Sequence, residues 1–217
     1  MKLRDRVLDL LFPPRCPFCD KLLKGEERLL CAKCQPKLPW TEGAQGEQSL
    51  EFVSRCVSPL WYRDPVTASF RRYKFKGHRD YSTTYGVLMA QCVRDRLEGE
   101  FDLLTWAPLS RKSLRKRGFD QTYLLAKVLG RELGLPLTPM LEKYRATQAQ
   151  SGLKDDGARK ANVLGAYRMK PGAQAAGKRI LLVDDIVTTG ATLSECAATL
   201  RMAGAVSVVG LTLARAR

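Results

Sequence analysis

Two adjacent carboxylates, Asp184 and Asp185, stand directly behind an apolar run in the segment RILLVDDIVTTGATLSECAATL, residues 179–200, and the small residues Thr188, Thr189, Gly190, Ala191 and Thr192 follow them. In a parallel sheet the ligand crevice lies beyond the carboxyl ends of the strands, so an apolar strand over 179–183 delivers the doublet to that edge. Neighbouring side chains there can diverge, accept hydrogen bonds from a vicinal diol, or sit near a cation. The small-residue turn offers backbone N–H groups and hydroxyls to phosphate oxygens, Gly190 permits close approach, and the helix that follows adds its positive end. Diol plus phosphate describes a ribose phosphate. For the doublet alone, a solvated turn with a Thr N-cap is the simpler reading. The doublet set between four apolar residues and T-T-G-A-T is a much narrower pattern.

A second chemistry is written in the cysteines. Cys16, Cys19, Cys31 and Cys34 form two C-x-x-C pairs, whereas Cys56, Cys92 and Cys196 stand alone in apolar surroundings. In a reducing compartment, four thiolates so spaced predict a tetrahedral structural zinc site rather than two disulfides or a redox centre, because a closed four-sulfur site leaves no open coordination position. The residues between Cys19 and Cys31 suffice for a short hairpin turning at Lys24, Gly25 and Glu26. The three single cysteines read as small buried hydrophobes.

The elements that must position these groups follow from composition and periodicity. A chain of 217 residues with 45% hydrophobic and 27% charged content is globular and long enough for one full domain plus a small appendage. Lys and Arg outnumber Asp and Glu by 37 to 22, a net charge of +15, which favours a polyanionic partner: nucleic acid, a phosphorylated metabolite or an acidic membrane surface. No apolar stretch is long enough to span a bilayer and no signal peptide is evident, so a cytoplasmic protein is expected. Leu3, Val7, Leu10 and Leu11 predict an amphipathic helix over 2–12, stopped by Pro13 and Pro14. The polar, glycine-containing residues 39–51 read as a linker, dividing the chain into an N-terminal unit, 1–50, and a larger domain, 51–217. An apolar run, FVSRCVSPLWY, and a basic segment, TASFRRYKFKGHRD, open that domain. Helices are expected over 81–97, with Tyr85, Leu88, Met89, Cys92 and Val93 on the buried face, over 120–133, ended by Gly134 and Pro136, and over 191–202. Strands are expected within DLLTWAPL and over 179–183 and 206–214. Strands alternating with helices predict an α/β domain with a mainly parallel sheet.

ILLVDDIVTTGAT resembles the 5-phosphoribosyl-1-pyrophosphate signature of type I phosphoribosyltransferases. The resemblance implies ribose contacts from Asp184 and Asp185, phosphate contacts from Thr188, Thr189, Gly190, Ala191 and Thr192, and Mg²⁺ on the pyrophosphate, a hard cation suited to its oxygens. It further implies a separate pyrophosphate loop, for which APLSRKSLRKRGFDQ, with Ser110, Arg111, Lys112, Arg115, Lys116 and Arg117, is the candidate. Across nearly the full length, the cysteine-rich N-terminus, RRYKFKG, PLSRKSLRKRGFDQTYLLA, RATQAQSGLKDDGARKANVLGAY and VDDIVTTGATLSECA are similar to the ComF family, competence-associated proteins linked to DNA uptake in natural transformation. Asp120 stands where that family usually has Asn, and Val187 where it often has Tyr.

Two function classes follow from the resemblance. In the first, the chain binds phosphoribosyl pyrophosphate and single-stranded DNA, with Lys74, Lys76 and the cations of 110–117 tracking the backbone and competence proteins such as a ComF-type helicase as partners. In the second, an active Mg-dependent phosphoribosyltransferase acts on an unidentified acceptor. Thr188 stands where purine-salvage relatives place an Asp base, which weakens a purine-salvage reading. Tyr73, Phe75 and Trp106 can stack on a nucleobase, although core packing is the commoner fate of such residues, and His78 reads as a solvated loop histidine.

Overall fold

The computed structural model describes residues 13–145 and 156–216. The helix expected over 2–12 lies outside them, as do residues 146–155. The elements in chain order are β1 (Glu47–Leu50), β2 (Val53–Val57), β3 (Leu60–Trp61), α1 (Val66–Phe75), α2 (Tyr81–Arg96), β4 (Leu103–Trp106), α3 (Arg111–Arg117), α4 (Gln121–Leu133), β5 (Leu141–Lys143), α5 (Asp156–Val163), β6 (Tyr167–Met169), β7 (Arg179–Val187), α6 (Ala191–Met202) and β8 (Ser207–Arg215).

The main sheet runs β1-β2-β8-β7-β4, with β3 also pairing β8. All its pairings are parallel except β1 with β2. The pleat of β7 explains why both faces are covered. Leu181 and Val183 belong to one apolar cluster with Tyr85 and Met89 of α2 and Leu125 and Leu129 of α4, while Ile180 and Leu182 belong to a second with Leu193, Cys196 and Leu200 of α6. Each such side chain, fully buried, contributes about 1.5–3 kcal/mol. Cys56, Cys92 and Cys196 lie in this packing as expected. A Cβ on Gly86 would come within 2.5 Å of Val128, so the glycine is what lets α2 approach α4.

Three expectations are corrected, and a segment left without an element receives one. Residues 47–50, placed in a linker, form edge strand β1, whose half-buried pattern reflects one covered face. The basic segment at 66–75 is helix α1, which buries Val66, Ser69, Phe70 and Tyr73 on one side, exposes Arg71, and leaves Arg72 and Lys74 half-buried. The cationic loop at 111–117 is a two-turn helix, capped by the Ser110 side chain on Ser113 N–H at 3.2 Å and ended by Gly118 at φ +74°. The strand expected to stop at residue 183 continues to Val187, because β8 goes on pairing with it through Asp184↔Thr212 and Val187↔Arg215.

Candidate functional site

The doublet faces a cleft on one side because β4 ends early. Trp106, its last residue, pairs with Val183, and the chain then turns away through residues 107–110, so Asp184 and Asp185 lie on the uncovered edge of β7 while β8 supports the other edge. The side chains diverge as the pleat requires. Asp185 Oδ2 accepts from Gln121 Nε2 at 2.9 Å and lies 3.8 Å from Lys74 Nζ. Asp184 Oδ1 accepts the Asp185 N–H at 2.8 Å and Thr122 Oγ1 at 3.5 Å. Both carboxylates line a cleft of about 140 Å³ together with Lys74, Arg117, Lys143 and Tyr167. Burial, reinforced by the charge of Asp185, pushes the Asp184 carboxyl up to about 8 against the pull of Lys74 and Lys143. Burial likewise lowers the Lys143 ammonium.

The turn after β7 is built for small residues. Gly190 sits at φ +76°, and a Cβ there would lie 2.0 Å from Leu50 Cδ2. Strand β1 also holds the turn from below, through Gln48 Nε2 donating to Thr188 O at 2.9 Å. Thr188, Gly190, Ala191 and Thr192 share a small pocket with Asp184. Thr189 is outside that wall and orders the turn instead, its hydroxyl accepting from Ala191 N–H at 3.3 Å.

The remaining cations divide. Lys74 and Arg117 reach the cleft, Arg111 and Lys112 line a neighbouring cavity, and Lys76, Arg115 and Lys116 are exposed and line neither. Ser110 is buried as the cap of α3 and faces the neighbouring cavity. Among the aromatic candidates, Tyr73 is fully buried with its hydroxyl on Gln121 O at 2.7 Å, and Trp106 packs against Tyr123 at 5.2 Å. Phe75 is 66% exposed, with Lys74 and Arg117 5.9 and 6.0 Å from its ring. His78 stacks on Tyr81 at 4.8 Å. Gln121, Thr122, Lys143 and Tyr167 escaped sequence reasoning. The first two follow the capping Asp120 and were legible as a helix start; nothing in sequence singled out Lys143 or Tyr167.

In the N-terminal module the Sγ atoms of Cys16, Cys19, Cys31 and Cys34 all lie within 4.8 Å of one another, and Cys19 and Cys31 are 3.7 Å apart. A tetrahedral zinc with Zn–S bonds of about 2.3 Å requires S···S edges of about 3.8 Å, so the donor set fits the metal. Burial raises the Cys34 and Cys19 thiols, so loading the site releases protons. The expected turn is present, with Glu27 N–H donating to Lys24 O at 3.1 Å. The module docks on the larger domain through Arg72 Nη2, which donates to Pro17 O at 2.7 Å and Phe18 O at 3.1 Å, and Tyr81 OH, which donates to Asp20 Oδ1 at 2.8 Å.

Residues 120–217 match the phosphoribosyl transferase domain model and residues 7–45 the double zinc ribbon domain. The fold and the site define a type I phosphoribosyltransferase-like α/β protein carrying an N-terminal four-cysteine zinc ribbon. The chain is 30% identical to the DNA utilization protein YhgH of Salmonella typhi, over 89% of this chain and 80% of that one. It is 28% identical to competence protein F of Haemophilus influenzae, over 93% and 97% of the two chains, and to competence protein ComFC of Streptococcus pneumoniae, over 89% and 91%. It belongs to the ComF family. Among solved structures, the allosteric regulatory enzyme of purine biosynthesis aligns at TM-score 0.44 and 21% identity, over 66% of this chain and 30% of that one. Among the described residues, no helix is long and apolar enough to cross a membrane.

Proposed function

We propose that this chain binds 5-phosphoribosyl-1-pyrophosphate with Mg²⁺ in the doublet cleft and single-stranded DNA on the cationic surface around it, and acts in the cytoplasm in DNA uptake during natural transformation. The observation that carries the reading is the meeting, in one cleft, of two diverging carboxylates with Lys74, Arg117 and Lys143, next to a small-residue turn. Asp184 and Asp185 accept hydrogen bonds from the ribose hydroxyls. The turn at 188–192 takes the 5′-phosphate, since only small residues leave its N–H groups approachable. The cations facing the doublet take the pyrophosphate, and Mg²⁺, when bound with it, neutralises further charge on its oxygens. On this reading the four-cysteine module before β1 is a zinc-braced scaffold, and β1 joins the sheet of the binding domain.

The DNA part is supported by the excess of positive charge, by Phe75 held open between two cations, and by the names of the relatives, competence protein and DNA utilization protein. A competence helicase is a fitting partner on the same ground.

One observation favours turnover as a second reading. Burial raises the Asp184 carboxyl and lowers the Lys143 ammonium in the same cleft, which brings the proton affinities of an acid and a base closer together. Stabilising positive charge on a migrating phosphoribosyl group would fall to the same doublet.

Calorimetric titration with the donor and Mg²⁺ tests the main reading. Saturable heat in the wild type and none in Asp184→Asn/Asp185→Asn is expected; no heat in the wild type overturns donor binding. Affinity for a single-stranded oligonucleotide should fall steeply with salt, and a salt-independent affinity overturns the DNA part.

A further inference from the structure

A cavity of about 460 Å³ opens beside the donor cleft and shares Pro108, Leu109 and Lys143 with it. Five cations line it, Arg111 and Lys112 at the start of α3 and Lys143, Arg168 and Lys170 on and after the β5–β6 hairpin. The single carboxylate on its wall, Glu142, is already engaged by Arg168 Nε at 2.5 Å. Among the described residues, no carboxylate lies within ion-pair reach of Arg111, Lys112, Lys143 or Lys170. Four of the five cations therefore have no ion-pair partner among the described residues, and the concave space carries a net positive charge. An external polyanion balances it.

The aromatic content narrows the polyanion. Tyr144 is 55% exposed on the wall of the cavity, with the Arg168 guanidinium 5.1 Å from its ring centroid. An exposed ring backed by a cation is a stacking platform, and stacking requires a base whose face is open. In a duplex the faces are covered and the convex rod does not enter a pit of this size; in a single strand they are free.

We infer that this cavity seats a segment of single-stranded DNA, its phosphates between the α3 and hairpin walls and a base on Tyr144. The inference rests on the proposed DNA binding and assigns it a place. It carries a further consequence. Lys143 lines both spaces, so the strand and the sugar phosphate draw on one cation, and each should weaken the binding of the other by the same factor.

The test uses the full chain, a fluorescent oligothymidylate of about ten nucleotides, and the variants Lys170→Glu and Tyr144→Ala, neither of which touches the donor cleft. Each should lose about tenfold in oligothymidylate affinity, with the donor isotherm unchanged, and Lys170→Glu should also lower the slope of affinity against salt by about one. A wild type that does not bind the oligonucleotide overturns DNA binding altogether, and this placement with it. A wild type that binds, with both variants binding equally well, overturns the placement alone. If inorganic tripolyphosphate competes fully and Tyr144→Ala has no effect, the cavity is an anion site only and the strand reading fails. Photocrosslinking the wild type to an oligonucleotide carrying 5-iododeoxyuridine needs no variant: label on Trp106 or Tyr144 is expected, and label confined to peptides remote from the cavity overturns the assignment.

Discussion

Lys74 Nζ stands 3.8 Å from Asp185 Oδ2 and ties the end of α1 to the uncovered edge of β7. Both side chains are largely covered, 22% and 12% exposed, so the charge of Asp185 is matched before any ligand arrives. A ligand with its own anionic groups takes over the same ammonium. Replacing Lys74 with Met therefore leaves Asp185 without its cation and, on the proposed reading, removes one of the three cations that meet the pyrophosphate. The expected outcome is a loss of about tenfold or more in donor affinity, read by calorimetry at constant Mg²⁺. An affinity within twofold of wild type would remove Lys74 from the site.

The Asp184 carboxyl gives the stability of the protein a defined pH dependence. Its folded value lies near 8 and its ordinary value at 3.8, so between these limits the folded chain holds a proton that the unfolded chain has released. Stability from this group therefore falls as pH rises through that window. Urea midpoints should decline from the acidic to the neutral end in the wild type, and Asp184→Asn, which cannot ionise, should flatten the decline. Parallel curves for the two proteins would show that Asp184 titrates normally.

Gly190 is required twice, by its positive φ and by the 2.0 Å approach its missing Cβ would make to Leu50. Gly190→Ala should cost about 1–3 kcal/mol of stability from backbone strain alone and weaken donor binding by displacing the turn. Thermal unfolding measures the first effect and calorimetry the second. A variant as stable as wild type would mean that β1 does not press on the turn as described.

The four-cysteine cluster should hold one zinc ion per chain, since the zinc-ribbon stretch contains one set of ligands. Elemental analysis finding less than half an ion per chain would remove the assignment. The metal's influence should extend beyond its ligands, because Pro17 and Phe18, between the first two cysteines, receive the Arg72 side chain of α1. Chelation is expected to accelerate hydrogen exchange in 66–75 before it does so in β7 and β8.

Much of the framework was legible because its signals are local. The helix following Asp120 carries its caps and the helix at 191–202 its apolar positions, and the buried strands are largely apolar runs. Helix α1 was missed because its cations mask a narrow buried stripe, and β1 because a strand covered on one face and built from Glu, Gln and Ser has no apolar signature. Helix α3 passed for a loop since none of its residues is buried and only its caps mark it.

By itself the order of residues determined the metal ligands, the acidic doublet, the small-residue turn and the kind of sheet that would present them, since each depends on groups close together along the chain. Only the tertiary structure decided what faces them. It brought Lys74 from α1, Gln121 and Thr122 from α4, and Lys143 and Tyr167 from the hairpin to one edge of β7, and set Gln48 and Leu50 under the turn. Those meetings arise from the early end of β4 and from helix packing across the sheet, contacts between segments far apart in sequence, which no local period or spacing encodes.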